Sequence, residues 1–181
     1  MGLSSRGFME GLSNKCVYFT DGGEGDMDRQ QYEAVKTKLG WKPDPTVKPP
    51  GLIMSVRVDG NVAYVSGHVA FSGGELAYKG RIGADVTIEE GKLSAALSTV
   101  NCLESLDKEV GLERVDKILK VTGYLSCAEH VTEHPAIMNA ASELLIGVFG
   151  EAGKHARAAL GIHTLPLGAS TEVDMVVSLK G

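Results

Sequence analysis

The residue best equipped for chemistry is Arg157, in the stretch His155-Ala156-Arg157-Ala158-Ala159-Leu160-Gly161-Ile162. In an extended segment, side chains two apart share a face, so Arg157 looks out beside Ala159 and Gly161, both small. Its guanidinium then faces a hollow in which a ligand can lie close to backbone, and its planar paired donors match a carboxylate. Glu172 is expected on the same face one strand later. Each residue also has a plainer reading: an interface or surface arginine in a salt bridge, and a solvated carboxylate.

Other reactive residue types are present without a pattern that uses them. Cys16, Cys102 and Cys127 form no C-x-x-C pair, which disfavours a zinc cluster or a redox dithiol and suits small thiols in a reducing compartment. His130 and His134 have i, i+4 spacing, but Pro135 follows and no third ligand stands near, so no metal is expected.

These side chains need a scaffold, and the second half of the chain supplies its signals. Ile53 to Val58 and Val62 to Ser66 are β-rich runs separated by Asp59-Gly60, a hairpin cue. Val69 to Phe71, Gly73-Gly74 and Leu76 to Lys79 suggest a second hairpin. Thr87-Ile88-Glu89-Glu90 reads as a capping box, and Leu93, Ala96, Leu97, Val100, Leu103 and Leu106 follow at helical spacing until Gly111. Lys117 to Leu125 alternates as a strand, with Leu119, Val121 and Leu125 expected on one face. A second helix runs from about Pro135 to Gly150, with Ile137, Ala141, Leu144, Leu145 and Val148 on one stripe. Two strands near 157–163 and 171–179 close the chain around Leu165-Pro166-Leu167-Gly168.

That order predicts an α+β fold, with two helices on one face of a mixed sheet. Val173, Met175, Val177 and Leu179 should face the helices, and Glu172, Asp174 and Ser178 the other way. A mixed opposite face suits a subunit interface with polar pockets, so an oligomer is expected. If the last two strands form a hairpin, Arg157 and Glu172 lie on the order of 13 Å apart along the strands. Glutamate then acts through water, or the working pair comes from two subunits.

The totals agree with one globular unit. The chain has 181 residues, 43% apolar and 23% charged, enough to bury a core without disulfide or metal. A net charge of −5 disfavours general nucleic-acid binding. Residues 1–48 read as an extension and linker. It comprises a Gly, Ser and Asp-rich arm, a short helix near Gln30 to Leu39, and an extended stretch set by Pro43 and Pro45 that runs up to Pro49 and Pro50 at the boundary. Residues 49–181 read as the folded domain. No run of 18 apolar residues is present, so no membrane span is expected, and an apolar signal core is also missing near the N-terminus. Cytoplasm is the expected compartment; Arg6 and Lys15 among Ser and Gly leave a mitochondrial leader open, with Glu10 against it.

Several segments together resemble one family. His155-Ala156-Arg157, Leu165-Pro166-Leu167-Gly168-Ala169 and Glu172-Val173 are similar to the C-terminal signature of the YjgF/RidA (reactive intermediate deaminase, endoribonuclease L-PSP) family. Val65-Ser66-Gly67-His68, Gly83-Ala84-Asp85-Val86 and Asn139 match further family segments, so the resemblance spans roughly residues 50 to 180. It implies a chorismate-mutase-like fold of the bacillus type, assembled as a homotrimer with three clefts between subunits. It also implies cofactor-free hydrolysis of reactive 2-imino or enamine acids to 2-keto acids and ammonia. Carried onto this chain, Arg157 would bind the substrate carboxylate and Glu172 would hold and polarise water. Ser66, Gly67, Asn139 and Ala159 would contribute to the substrate site.

The chain departs from the family pattern at four places. Ala159 stands where a cysteine is common, Ile53 where an aromatic residue often precedes the first strand, His68 in place of glutamine, and Ala70 in place of a frequent proline. His68 is a further candidate, as a general base, because histidine titrates near neutrality. Two other functions are compatible with the resemblance: RNA cleavage of the L-PSP type, and a non-catalytic trimer that binds small carboxylates. The first wants a convergent acid/base pair and cationic phosphate contacts, which scattered histidines and a negative chain do not supply.

Overall fold

The computed structural model describes residues 27–43 and 51–181. The expected Gly-rich arm, Cys16 and most of the proline linker lie outside the described residues. Among the described residues three α-helices, α1 (Arg29–Lys38), α2 (Ile88–Val110) and α3 (His134–Phe149), combine with seven strands. These are β1 (Val56–Asp59), β2 (Val62–Val69), β3 (Phe71–Ser72), β4 (Glu75–Leu76), β5 (Val115–Ser126), β6 (Ala156–Ile162) and β7 (Thr171–Leu179). Five strands form one mixed sheet in the order β1-β2-β7-β5-β6, and β3 pairs with β4 as a small separate hairpin. The α+β class and the two-helix layer are as expected.

Local signals account for the helix ends. Thr87 and Glu90 form a complete capping box, the hydroxyl accepting from the Glu90 amide and the carboxylate from the Thr87 amide. Gly111, at φ 84°, stops α2 where a side chain would be strained. Pro135 sits in the first turn of α3, where its missing N–H costs nothing. The apolar stripes of both helices meet Val173, Met175, Val177 and Leu179 of β7 in the core, each at most 3% exposed.

Two expectations are corrected. The last two strands do not form a hairpin: β5 lies between them, antiparallel to β7 and parallel to β6. The chain reaches β6 through α3, and such a helical crossover sets β6 parallel to β5. Leu119 does not share a face with Val121 and Leu125; it is 38% exposed while Ile118 and Val121 are buried. A register shift between Ile118 and Lys120 breaks strict alternation there.

The helix expected near Gln30 to Leu39 is α1, and it is tied into the domain. Tyr32 and Val35 are buried, and the Tyr32 hydroxyl donates to Glu104 on α2 at 2.7 Å. Arg29 pairs with Asp107 and Glu113, and Lys36 bonds Glu104 beneath the faces of Tyr32 and Trp41.

Candidate functional site

The register of the sheet decides which way each candidate points. Arg157 lies across from Val121, which lies across from Met175; both partners are core residues facing the helices. Arg157 therefore projects toward α3 from the outermost strand of the sheet. Its Nη1 donates to Asn139 Oδ1 at 3.1 Å and Ser142 Oγ at 2.9 Å, and its Nη2 to the Pro135 carbonyl at 3.1 Å. Asn139 and Ser142 are three apart on α3 and so share one helix face. All three acceptors are neutral, and among the described residues no carboxylate forms an ion pair with Arg157. Burial draws the guanidinium pKa below its ordinary value, yet an arginine remains charged.

The small neighbours of Arg157 are partly covered, Gly161 remaining exposed. Ala159 is half-buried on the same face, and the His134 ring lies over Gly161, 2.4 Å from where a Cβ would stand there. Behind Arg157, His155 contacts Ser142 Oγ through Nε2 at 3.0 Å and the Gly153 carbonyl through Nδ1 at 2.6 Å.

Glu172 belongs to a second cluster. It lies across from Tyr124, which lies across from Leu160, so it projects from the sheet face opposite the helices. The expectation that Arg157 and Glu172 share a face is thereby corrected, because the intervening β5 changes the registration. Three residues along the strand and two strands across separate them by roughly 14 Å, on opposite faces.

The β2 strand bulges between Val65 and His68, which leaves Ser66 and Gly67 out of regular pairing with β7. Glu172 folds over that bulge: a Cβ on Gly67 would lie 2.0 Å from its Oε1. Burial, and secondarily the Asp174 charge, raise the Glu172 pKa above the usual carboxylate range. Asp174 accepts from the Tyr124 hydroxyl at 3.0 Å. The Ser66 hydroxyl donates to the Met54 carbonyl at 2.7 Å and so anchors the segment that carries Ile53.

His68 is turned to the other side of the sheet, in register with Val173. Both its nitrogens are occupied, Nδ1 by the Ser66 carbonyl at 2.6 Å and Nε2 by Ser105 Oγ on α2 at 2.7 Å. Burial lowers its pKa, against the Ser66 carbonyl, which raises it. Cys102 and Cys127 are buried free thiols. Among the described residues no three His, Cys, Asp or Glu side chains gather as a metal site, and no helix is long and apolar enough to cross a membrane.

The structure thus brings Arg157 to Asn139, and Glu172 to Gly67, as two separate clusters in one chain, while Ser66 bonds Met54 instead. Ser142, His155 and the Pro135 carbonyl join the first, and Asp174 and Tyr124 the second; sequence reasoning had assigned none of them. The i, i+3 spacing of Asn139 and Ser142, and the i, i+2 spacing of Glu172 and Asp174, were the available signals.

Residues 52–179 match the family described as "YjgF/chorismate mutase-like, putative endoribonuclease". The chain is 32% identical over 145 residues to Protein TCP17 of Trypanosoma cruzi, covering 79% of this chain and 91% of that protein. Among solved structures it is similar to the protein Atu1372 of Agrobacterium tumefaciens, with a TM-score of 0.74 and 30% identity. That match covers 83% of this chain and 94% of the other. A structure from Shewanella oneidensis MR-1 titled a "putative endoribonuclease" also has a TM-score of 0.74 and 30% identity, covering 82% and 99%.

Proposed function

This chain belongs to the YjgF/chorismate mutase-like family, and from that premise we propose that it hydrolyses reactive 2-imino acids, and the enamines that tautomerise to them, to 2-keto acids and ammonia. The observation that carries this reading is the state of Arg157. Three neutral oxygens hold the guanidinium, and its Nε–H and one Nη2–H have no partner among the described residues. A partly desolvated cation held this way lacks a counter-charge, and a substrate carboxylate supplies both the charge and the two acceptors.

The chemistry asks little of the protein. The C2 of an iminium is electrophilic already, so orientation of substrate and water does most of the work. Glu172 accepts a proton as water adds to C2, and its raised pKa makes the carboxylate a stronger base than an ordinary one. The proton passes to nitrogen, the C–N bond breaks, and ammonium and the 2-keto acid leave. Water and a zwitterionic iminium acid balance against a keto acid anion and ammonium.

Because Arg157 and Glu172 project from opposite faces, we infer that a working site takes Arg157 from one chain and Glu172 from another, in a homotrimer. The open sheet face supports such packing: Tyr64 and Leu160 are 51% and 47% exposed there, beside Glu172 and Asp174. Residues 49–181 would form the catalytic unit, with α1 of the preceding segment bracing its helices.

The test follows loss of 2-iminobutanoate, generated in situ by threonine dehydratase, with wild type and Arg157→Ala. Acceleration by the wild type and its loss in the variant are expected; no acceleration by the wild type removes the deaminase reading for that substrate. The family description favours RNA cleavage as the second reading. A net charge of −5 and the paired Glu172 and Asp174 carboxylates repel phosphates, and cleavage of RNA at an equal rate by Arg157→Ala would place any nuclease site elsewhere.

A further inference from the structure

His155, directly before β6, has no role in the chemistry above. Its geometry gives it one. The Gly153 carbonyl can only accept, so the 2.6 Å contact fixes the proton on Nδ1. In the neutral ring Nε2 is then an acceptor, and at 3.0 Å it takes the Ser142 hydroxyl proton. That orients a lone pair of Ser142 Oγ toward Arg157 Nη1, 2.9 Å away.

We infer that His155, acting through Ser142, is a positioning residue for Arg157, and that it does so only as the neutral Nδ1–H tautomer. The inference rests on the reading of Arg157 as the carboxylate clamp. A protonated ring would donate from Nε2 to the serine oxygen, turn the hydroxyl proton away, and set a second positive charge behind the guanidinium.

The surroundings favour the neutral form. From the same strand Arg157 is the charge acting on the ring, and α3 and the turn before β6 contribute the neutral Ser142 and Gly153 carbonyl. Lys154 and Glu151 nearby are paired with each other. Burial first, and Arg157 after it, lower the His155 pKa, while the Gly153 carbonyl opposes them.

The experiment combines steady-state hydrolysis of 2-iminobutanoate across pH with nitrogen-15 NMR of the Arg157 and His155 side chains. In the wild type, KM should rise as pH falls through the His155 titration, separately from the loss of kcat that protonation of Glu172 brings. Arg157 Nη rotation should be slow above that titration and faster below it. His155→Phe and Ser142→Ala should each raise KM roughly fivefold and remove its pH dependence in that window, the loss expected from one hydrogen bond to a charged group. His155→Gln, whose Oε1 can accept from Ser142, should restore most of the affinity. Unchanged KM and unchanged Nη rotation in both variants overturn the inference. If the NMR pattern holds but imine is not hydrolysed, the proposed activity falls and the positioning role stands.

Discussion

The Glu172 carboxylate rests on the Cα of Gly67, so close that a methyl group there would stand 2.0 Å from its Oε1. The neighbour to be displaced is the tip of a flexible side chain, and Gly67 does not have a left-handed backbone. Gly67→Ala should therefore fold normally, with a change in stability within about 1 kcal/mol. It should lower kcat of imine hydrolysis roughly a hundredfold, within the range of a general base moved out of place. Thermal unfolding and kinetics on the same preparation check this; normal activity would separate Gly67 from the site.

The raised pKa of Glu172 predicts an acid limb. Activity should fall as pH drops through a value above the ordinary carboxylate range, because the carboxylate must be ionised to accept a proton. Burial is the larger cause and Asp174 the second, so Asp174→Asn should move that limb to lower pH without abolishing it. The pH dependence of kcat/KM for both proteins measures the shift, and an identical limb would contradict the assignment.

Stability should also depend on pH, through different groups. His68 and His155 both have pKa values lowered by burial, so the folded protein binds these protons less readily than the unfolded chain. Their contribution is intact above about pH 6.5 and is lost as pH falls through the lower folded-state values. Urea unfolding between pH 8 and pH 5 should show the loss, and His68→Gln should flatten part of it. Stability unchanged over that range would contradict the buried neutral form.

The α1 helix should matter for stability rather than chemistry. Tyr32 is fully buried and its hydroxyl bonds Glu104. Tyr32→Ala should cost about 3 kcal/mol, with kcat near wild type wherever the protein is folded. Denaturant midpoints and amide exchange of α1 are the readouts; an unchanged midpoint would show that the helix is not braced as described.

Much of this architecture was readable beforehand because its signals are local. The Thr87–Glu90 capping box, the stripe from Ile137 to Val148 and the inward set Val173 to Leu179 each follow from periodicity within one element. Strand order is not local. Nothing between Ile162 and Thr171 distinguishes a hairpin from a crossing over the end of β5, and the faces of Arg157 and Glu172 follow from that choice. Leu119 was misplaced for a similar reason, since a bulge cancels alternation without a residue type that announces it. The contact of Ser142 with His155 and Arg157 is not legible in the sequence because it depends on α3 and β6 meeting side by side, a relation that spacing along the chain does not encode.

A two-chain site has a direct consequence. Arg157→Ala and Glu172→Gln chains, each inactive alone, are unfolded, mixed in equal amounts and refolded together, and 2-iminobutanoate hydrolysis is measured. Random assembly should restore about a quarter of wild-type activity, since one site in four then draws an intact arginine from one chain and an intact glutamate from its neighbour. No recovery from mixtures that demonstrably exchange subunits would contradict the shared site.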